Sequence, residues 1–142
     1  MDVENPALSV TFEKVFQSFF AHEIHHCARR GMPGYADTLG QALVTEGLAC
    51  CFESELPDGT VPMYASRICG HALTQFRALA TPALHQSISG WGEWFFGERE
   101  PEIPMCAGYT LGYEIVSTWL RRHGETAAAA YGVPASQILA EA

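Results

Sequence analysis

Apolar side chains along this chain recur mostly at three- and four-residue intervals, the period of a helix. Val10, Val15, Phe16, Phe19 and Phe20 follow it, so a first helix is expected from near Ser9, stopped by Gly31 and Pro33. The run Gly31-Met32-Pro33-Gly34-Tyr35-Ala36 reads as a loop. Asp37 or Thr38 can then cap a second helix carrying Leu39, Leu43, Leu48 and Phe52. Pro57-Asp58-Gly59-Thr60 is a turn by composition. A third helix fits residues 62–80, from Met63 through Ile68 and Leu73 to Phe76 and Leu79. In 81–107 the cluster Trp91, Trp94, Phe95 and Phe96 reads as core, and the segment around Pro101 and Pro104 as loop. A fourth helix fits 108–123, and a short one begins at Pro134 or Ala135. Nowhere does the pattern alternate with period two long enough for a strand. The fold expected is mainly α, with little or no β-sheet.

Composition narrows this picture. The chain has 142 residues, 48% of them hydrophobic and 17% charged, which suits one folded domain over residues 1–142 rather than disorder. Sixteen acids against eight bases leave a net charge of −8 with no basic stripe, so neither nucleic acid nor an anionic membrane is an expected partner. No apolar run reaches the roughly 20 residues of a membrane span. Met1-Asp2-Val3-Glu4-Asn5-Pro6 lacks the basic start and apolar core of a signal peptide. Five cysteines, with Cys50 and Cys51 adjacent, do not make a disulfide framework, and reduced thiols in the cytoplasm are the simpler expectation.

The chemistry concentrates in His22-Glu23-Ile24-His25-His26, which matches H-E-x-x-H inside the first expected helix. Residues four apart lie one turn above each other on one face, so His22 and His26 can put two imidazole nitrogens on one Zn²⁺. Glu23 sits to the side, where its carboxylate reaches a water on the metal rather than the metal itself. A catalytic zinc needs a third protein ligand and an open position. Glu46, in Thr45-Glu46-Gly47-Leu48-Ala49, is the candidate. It lies on the apolar side of the second helix, beside Leu43 and Leu48, where an unpaired acid would be costly. The loop between the two helices is short enough for them to pack antiparallel. His25 points about 100° away from both neighbours and is not expected to be a ligand. Cys50, on the side of Glu46, could close the metal as a fourth ligand or could be a small core residue.

On these residues the chain resembles the predicted zinc-dependent proteases of domain of unknown function 2268, and more widely the gluzincins. The matching blocks are Phe20-Ala21-His22-Glu23-Ile24-His25-His26 with Arg29, then Thr38-Leu39-Gly40, then Glu46-Gly47-Leu48-Ala49. Ile103-Pro104 and Gly108-Tyr109-Thr110-Leu111-Gly112-Tyr113 follow in order. The resemblance implies a small zincin-like helical domain with the metal site between two packed helices. It implies His22, His26 and Glu46 as zinc ligands, Glu23 as general base, and Tyr109 as a candidate to stabilise an oxyanion. Two features depart from the pattern. Zincins carry an upstream edge strand, and the few residues before Ser9 are expected to be too few for a sheet. Gluzincins often place an acid one turn after the glutamate ligand, bonded to a ligand histidine. Here that position is Cys50, and either Glu53 or a backbone carbonyl could serve instead.

Other residues have plainer expectations. Arg29 is expected in a structural ion pair. Cys27, Cys51, Cys69 and Cys106 read as core thiols, and His71, His85 and His123 as isolated. Three functions follow from the motif. One is a zinc metallopeptidase acting on peptides or proteins. Another is a non-catalytic domain in which zinc staples two helices beside a partner-binding surface. The third is a regulatory peptidase with one dedicated protein substrate.

Overall fold

The computed structural model describes residues 6–32, 34–57, 59–88 and 91–142. Pro33, Asp58, Gly90 and the Val10 side chain lie outside the described residues. The helices are α1 (Pro6–Arg29), α2 (Leu39–Ser54), α3 (Gly70–Ala80), α4 (Gly92–Phe95), α5 (Ala107–His123) and α6 (Ala135–Leu139). Among the described residues no strand forms, and Thr38 and Ser87 make one isolated antiparallel bridge. The mainly helical expectation holds.

α2 begins where the sequence signals it. Thr38 accepts a hydrogen bond from the Gln41 backbone N–H, and the Gln41 side chain accepts one from the Thr38 N–H at 3.0 Å. This reciprocal capping box satisfies two of the donors a helix start leaves open. α5 ends on Gly124, which takes the left-handed conformation at φ 64°. The expected helix over 62–80 is broken. Met63–Ala65 forms only a 3-10 turn, and α3 starts at Gly70, whose φ of 58° no right-handed helix can run through.

α2 is the central element. It is buried nearly all round, from Leu39 through Cys51, and packs against both α1 and α5. Leu43, Val44 and Leu48 join Leu111, Ile115, Val116 and Trp119 of α5 in one apolar core. Full burial of each large apolar side chain contributes roughly 1.5–3 kcal/mol. The helices approach most closely where Gly47 meets Gly112. A Cβ on Gly47 would strike the Gly112 carbonyl, and one on Gly112 the Leu43 carbonyl.

α1 docks with its polar face inward. Its buried described side chains are Ala21, His22, His25 and Arg29. Its apolar stripe faces out, with Val15 64%, Phe16 55%, Phe19 62% and Phe20 54% exposed. Three further expectations are corrected. Cys27 and Cys69 are exposed rather than core thiols. Phe96 is exposed although Trp94 and Phe95 are buried. His123 is not isolated, since it lies 3.0 Å from Glu141 with its ring stacked on Trp119.

Candidate metal centre

Three residues from two helices converge. His22 and His26, one turn apart on α1, bring their Nε2 atoms to 2.9 Å. Glu46 of α2 places Oε2 at 3.1 Å from His22 Nε2 and Oε1 at 3.2 Å from His26 Nε2. The antiparallel run of α1 past α2 produces this, with Ser18 reaching Glu53 at one end and Arg29 reaching Thr45 at the other. A tetrahedral zinc with bonds of about 2.0–2.1 Å sets its ligand atoms about 3.3 Å apart. The three approaches seen here lie close to that spacing, so the donor set fits the ion. Two imidazole nitrogens facing each other beside a carboxylate also favour a positive charge between them.

A layer behind His22 fixes it. His22 Nδ1 lies 2.7 Å from Glu53 Oε1, and Glu53 is almost fully buried. Ser18 Oγ and the Tyr64 hydroxyl both donate to Glu53, and Tyr64 Oη lies 3.2 Å from His22 Nδ1. With Nδ1 engaged, Nε2 is the nitrogen turned toward His26 and Glu46. Burial lowers the His22 imidazole, but hydrogen bonds with Cys50, Glu46 and Glu53 and the charge of Glu46 outweigh it and push it up to about 12. Burial works against the Glu46 charge, yet its hydrogen bonds to His22 and His26 hold the carboxyl below its ordinary value. Cys50 lies under His22, and burial pushes its thiol up to about 11. His22, Cys50 and Glu53 form a second group with metal-ligand spacing, but all three are buried. His22, His26 and Glu46 include the partly exposed His26, which suits an open position.

Glu23 is exposed on the neighbouring strip of α1. Tyr109, on α5, is half-buried, with its ring 5.0 Å from Tyr64 and 4.9 Å from Phe95. Burial raises its phenol, and the charges of Glu46 and Glu23 add to the effect. Gly108 makes room for this arrangement, because a Cβ there would strike the Phe95 ring. His25 turns away, with Nε2 3.2 Å from the Ala127 carbonyl, and burial lowers its imidazole to about 4.

Arg29 is structural, but the expected ion pair is replaced by carbonyl contacts. It is buried and donates from Nη1 to the Tyr131 carbonyl at 2.6 Å and the Val133 carbonyl at 2.9 Å. Sequence reasoning missed Tyr64 and Tyr35. Tyr64 lies in the 3-10 turn that was expected to be helix, and Tyr35 in the loop between α1 and α2. Neither position has a periodic neighbour that would mark it.

The fold and the site together define a mainly helical protein with a candidate metal site, in which an H-E-x-x-H helix lies antiparallel against a carboxylate-bearing one. The chain belongs to the family described as Predicted Zn-dependent protease (DUF2268), whose family model matches residues 7–140. No curated protein and no solved structure matches it.

Proposed function

We propose that this chain is a zinc metallopeptidase in which His22, His26 and Glu46 hold the ion. The observation that carries the reading is the triangle of His22 Nε2, His26 Nε2 and a Glu46 carboxylate, with Glu23 exposed beside it. Bound zinc would supply a Lewis acid for the scissile carbonyl and a more acidic water. Glu23 takes a proton from the attacking water at its carboxylate and later delivers it to the leaving amine nitrogen. The Tyr109 phenol donates a hydrogen bond to the carbonyl oxygen as negative charge develops there. The partner on this reading is a peptide or protein. All five cysteines are free thiols, which supports a reducing compartment such as the cytoplasm.

The test is metal content by mass spectrometry, wild type beside His22→Ala and Glu46→Ala, followed by hydrolysis of a peptide library. About one zinc per chain is expected in wild type, with a sharp loss in both variants. Glu23→Gln should keep zinc and lose roughly 10²–10⁴-fold in hydrolysis. A Glu23→Gln chain that cleaves as fast as wild type would sink the mechanism. The non-catalytic zinc staple is favoured by one observation: no strand lies beside α1 among the described residues. It predicts zinc uptake with no hydrolysis in either chain, and unfolding of His22→Ala.

A further inference from the structure

The two histidines are supported unequally. His22 has Glu53 at its Nδ1. His26 Nδ1 is buried and finds no hydrogen-bond partner among the described residues. A metal-binding histidine ordinarily has its second nitrogen anchored, because that contact sets the ring's orientation. Besides the His22 ring, 4.6 Å away between centroids, the ring that packs against His26 is Tyr35, at 6.2 Å and 75° between planes, an edge-to-face contact.

Tyr35 is not left to chance. Its carbonyl accepts a hydrogen bond from Thr45 Oγ1. Thr45 is fully buried on α2, one residue before Glu46, and its Oγ1 also lies 3.4 Å from Arg29 Nε. Arg29, one turn after His26, is anchored through Nη1 to the Tyr131 and Val133 carbonyls. A chain of contacts, buried at Arg29 and Thr45, thus runs from the Tyr131 and Val133 carbonyls to the backbone of Tyr35. It ties Tyr35 to the two helices that bear the candidate ligands. Burying a guanidinium is costly unless its donors are filled, so this arrangement is held by more than one bond.

We propose that Tyr35 is a positioning residue for His26, clamped by Arg29 and Thr45, and that it sets the His26 ring by packing as Glu53 sets His22 by hydrogen bonding. This rests on the metal reading for its consequence but not for its test. The variants are Tyr35→Phe, which keeps the ring; Tyr35→Ala, which removes it; and Thr45→Val, which cuts the clamp and keeps the shape. Each is first checked for wild-type helicity by circular dichroism, and Thr45→Val carries the test if Tyr35→Ala fails to fold. Histidine-ring ¹H–¹⁵N spectra of the metal-free chain then report the tautomer and surroundings of the His26 ring. The His26 resonances should move in Tyr35→Ala and Thr45→Val, stay near wild type in Tyr35→Phe, and move more than those of His22. Zinc affinity, by competition with a chromophoric chelator, should fall about tenfold in Tyr35→Ala and Thr45→Val and hold within about twofold in Tyr35→Phe. Unmoved His26 resonances in both Tyr35→Ala and Thr45→Val would overturn the proposal, whatever the zinc result. A wild type that takes up no zinc would instead remove the metallopeptidase reading, and the ring spectra would still decide the role of Tyr35.

Discussion

Glu53 is the residue on which the orientation of His22 depends, and its removal should show first in the metal and only then in the fold. Its carboxylate takes contacts from His22 Nδ1, Ser18 and Tyr64 inside the protein. Glu53→Ala should therefore weaken zinc binding by about 10–100-fold, and Glu53→Gln by less, because the amide oxygen can still accept. Chelator competition measures both, and equal affinity in all three chains would exclude the role. The pH dependence follows from His22. Its folded pKa of about 12 lies above the ordinary 6.5, so its contribution to the stability of the metal-free chain is full below pH 6.5 and is lost as pH rises toward 12. Zinc must displace the proton on Nε2, so near pH 7 each ion should release about one proton from His22, and affinity should climb with pH. Proton release in weakly buffered solution with an indicator dye checks the sign. His22, His26 and Glu46 were legible because the first two share a local helical repeat and the third is an acid on an apolar helix face. Glu53 was legible as one of two substitutes for the acid that Cys50 displaces. Tyr35 and Tyr64 were not, since long-range packing alone brings them to the histidines.

At the scale of elements, the site depends on a crossing that two glycines permit. Gly47 follows Glu46 directly, and Gly112 lies one turn after Gly108 and close to Tyr109 on α5. Adding a methyl at either contact drives it into backbone, which cannot yield as a flexible side chain does. Gly112→Ala should cost about 1–3 kcal/mol, the usual range for overpacking, offset by less than 1 kcal/mol of gained helix propensity. Urea unfolding at fixed zinc reads the loss. A Gly112→Ala chain as stable as wild type would mean that α2 and α5 are not in backbone contact. The sequence marks the start of α2 through its Thr cap, and it places α5 and the start of α6 to within a residue. It failed over 62–80 because apolar spacing alone does not reveal that Gly70 adopts a positive φ. The aromatic run at 91–96 reads as uniformly core, yet the short α4 buries Trp94 and Phe95, and Phe96 just after it turns outward.

For the whole molecule, the consequence lies in how α1 is held. A helix normally adheres through its apolar face, and periodicity identifies that face correctly on α1, but it points away from the body. What α1 buries instead is the polar seam of His22, His25 and Arg29, with His26 partly buried beside it. Buried polar groups stabilise only while their partners are in place, and a metal shared between α1 and α2 would be the strongest of those partners. α2 and α5, by contrast, share an apolar core that includes none of His22, His26 and Glu46. Ligand linkage stabilises the folded chain by about 2.7 kcal/mol when free zinc is a hundred times Kd. Removing zinc with a chelator should therefore do more than lower Tm. It should release α1 before the rest, so that hydrogen exchange of the amides in residues 18–29 accelerates well beyond that in α2 and α5. The same pattern should appear at saturating zinc in Glu46→Ala. Uniform acceleration across all three helices would mean that the chain opens as one unit. No change on chelation would mean that the seam stands on its own hydrogen bonds, with Arg29 and Glu53 rather than an ion holding α1 in place.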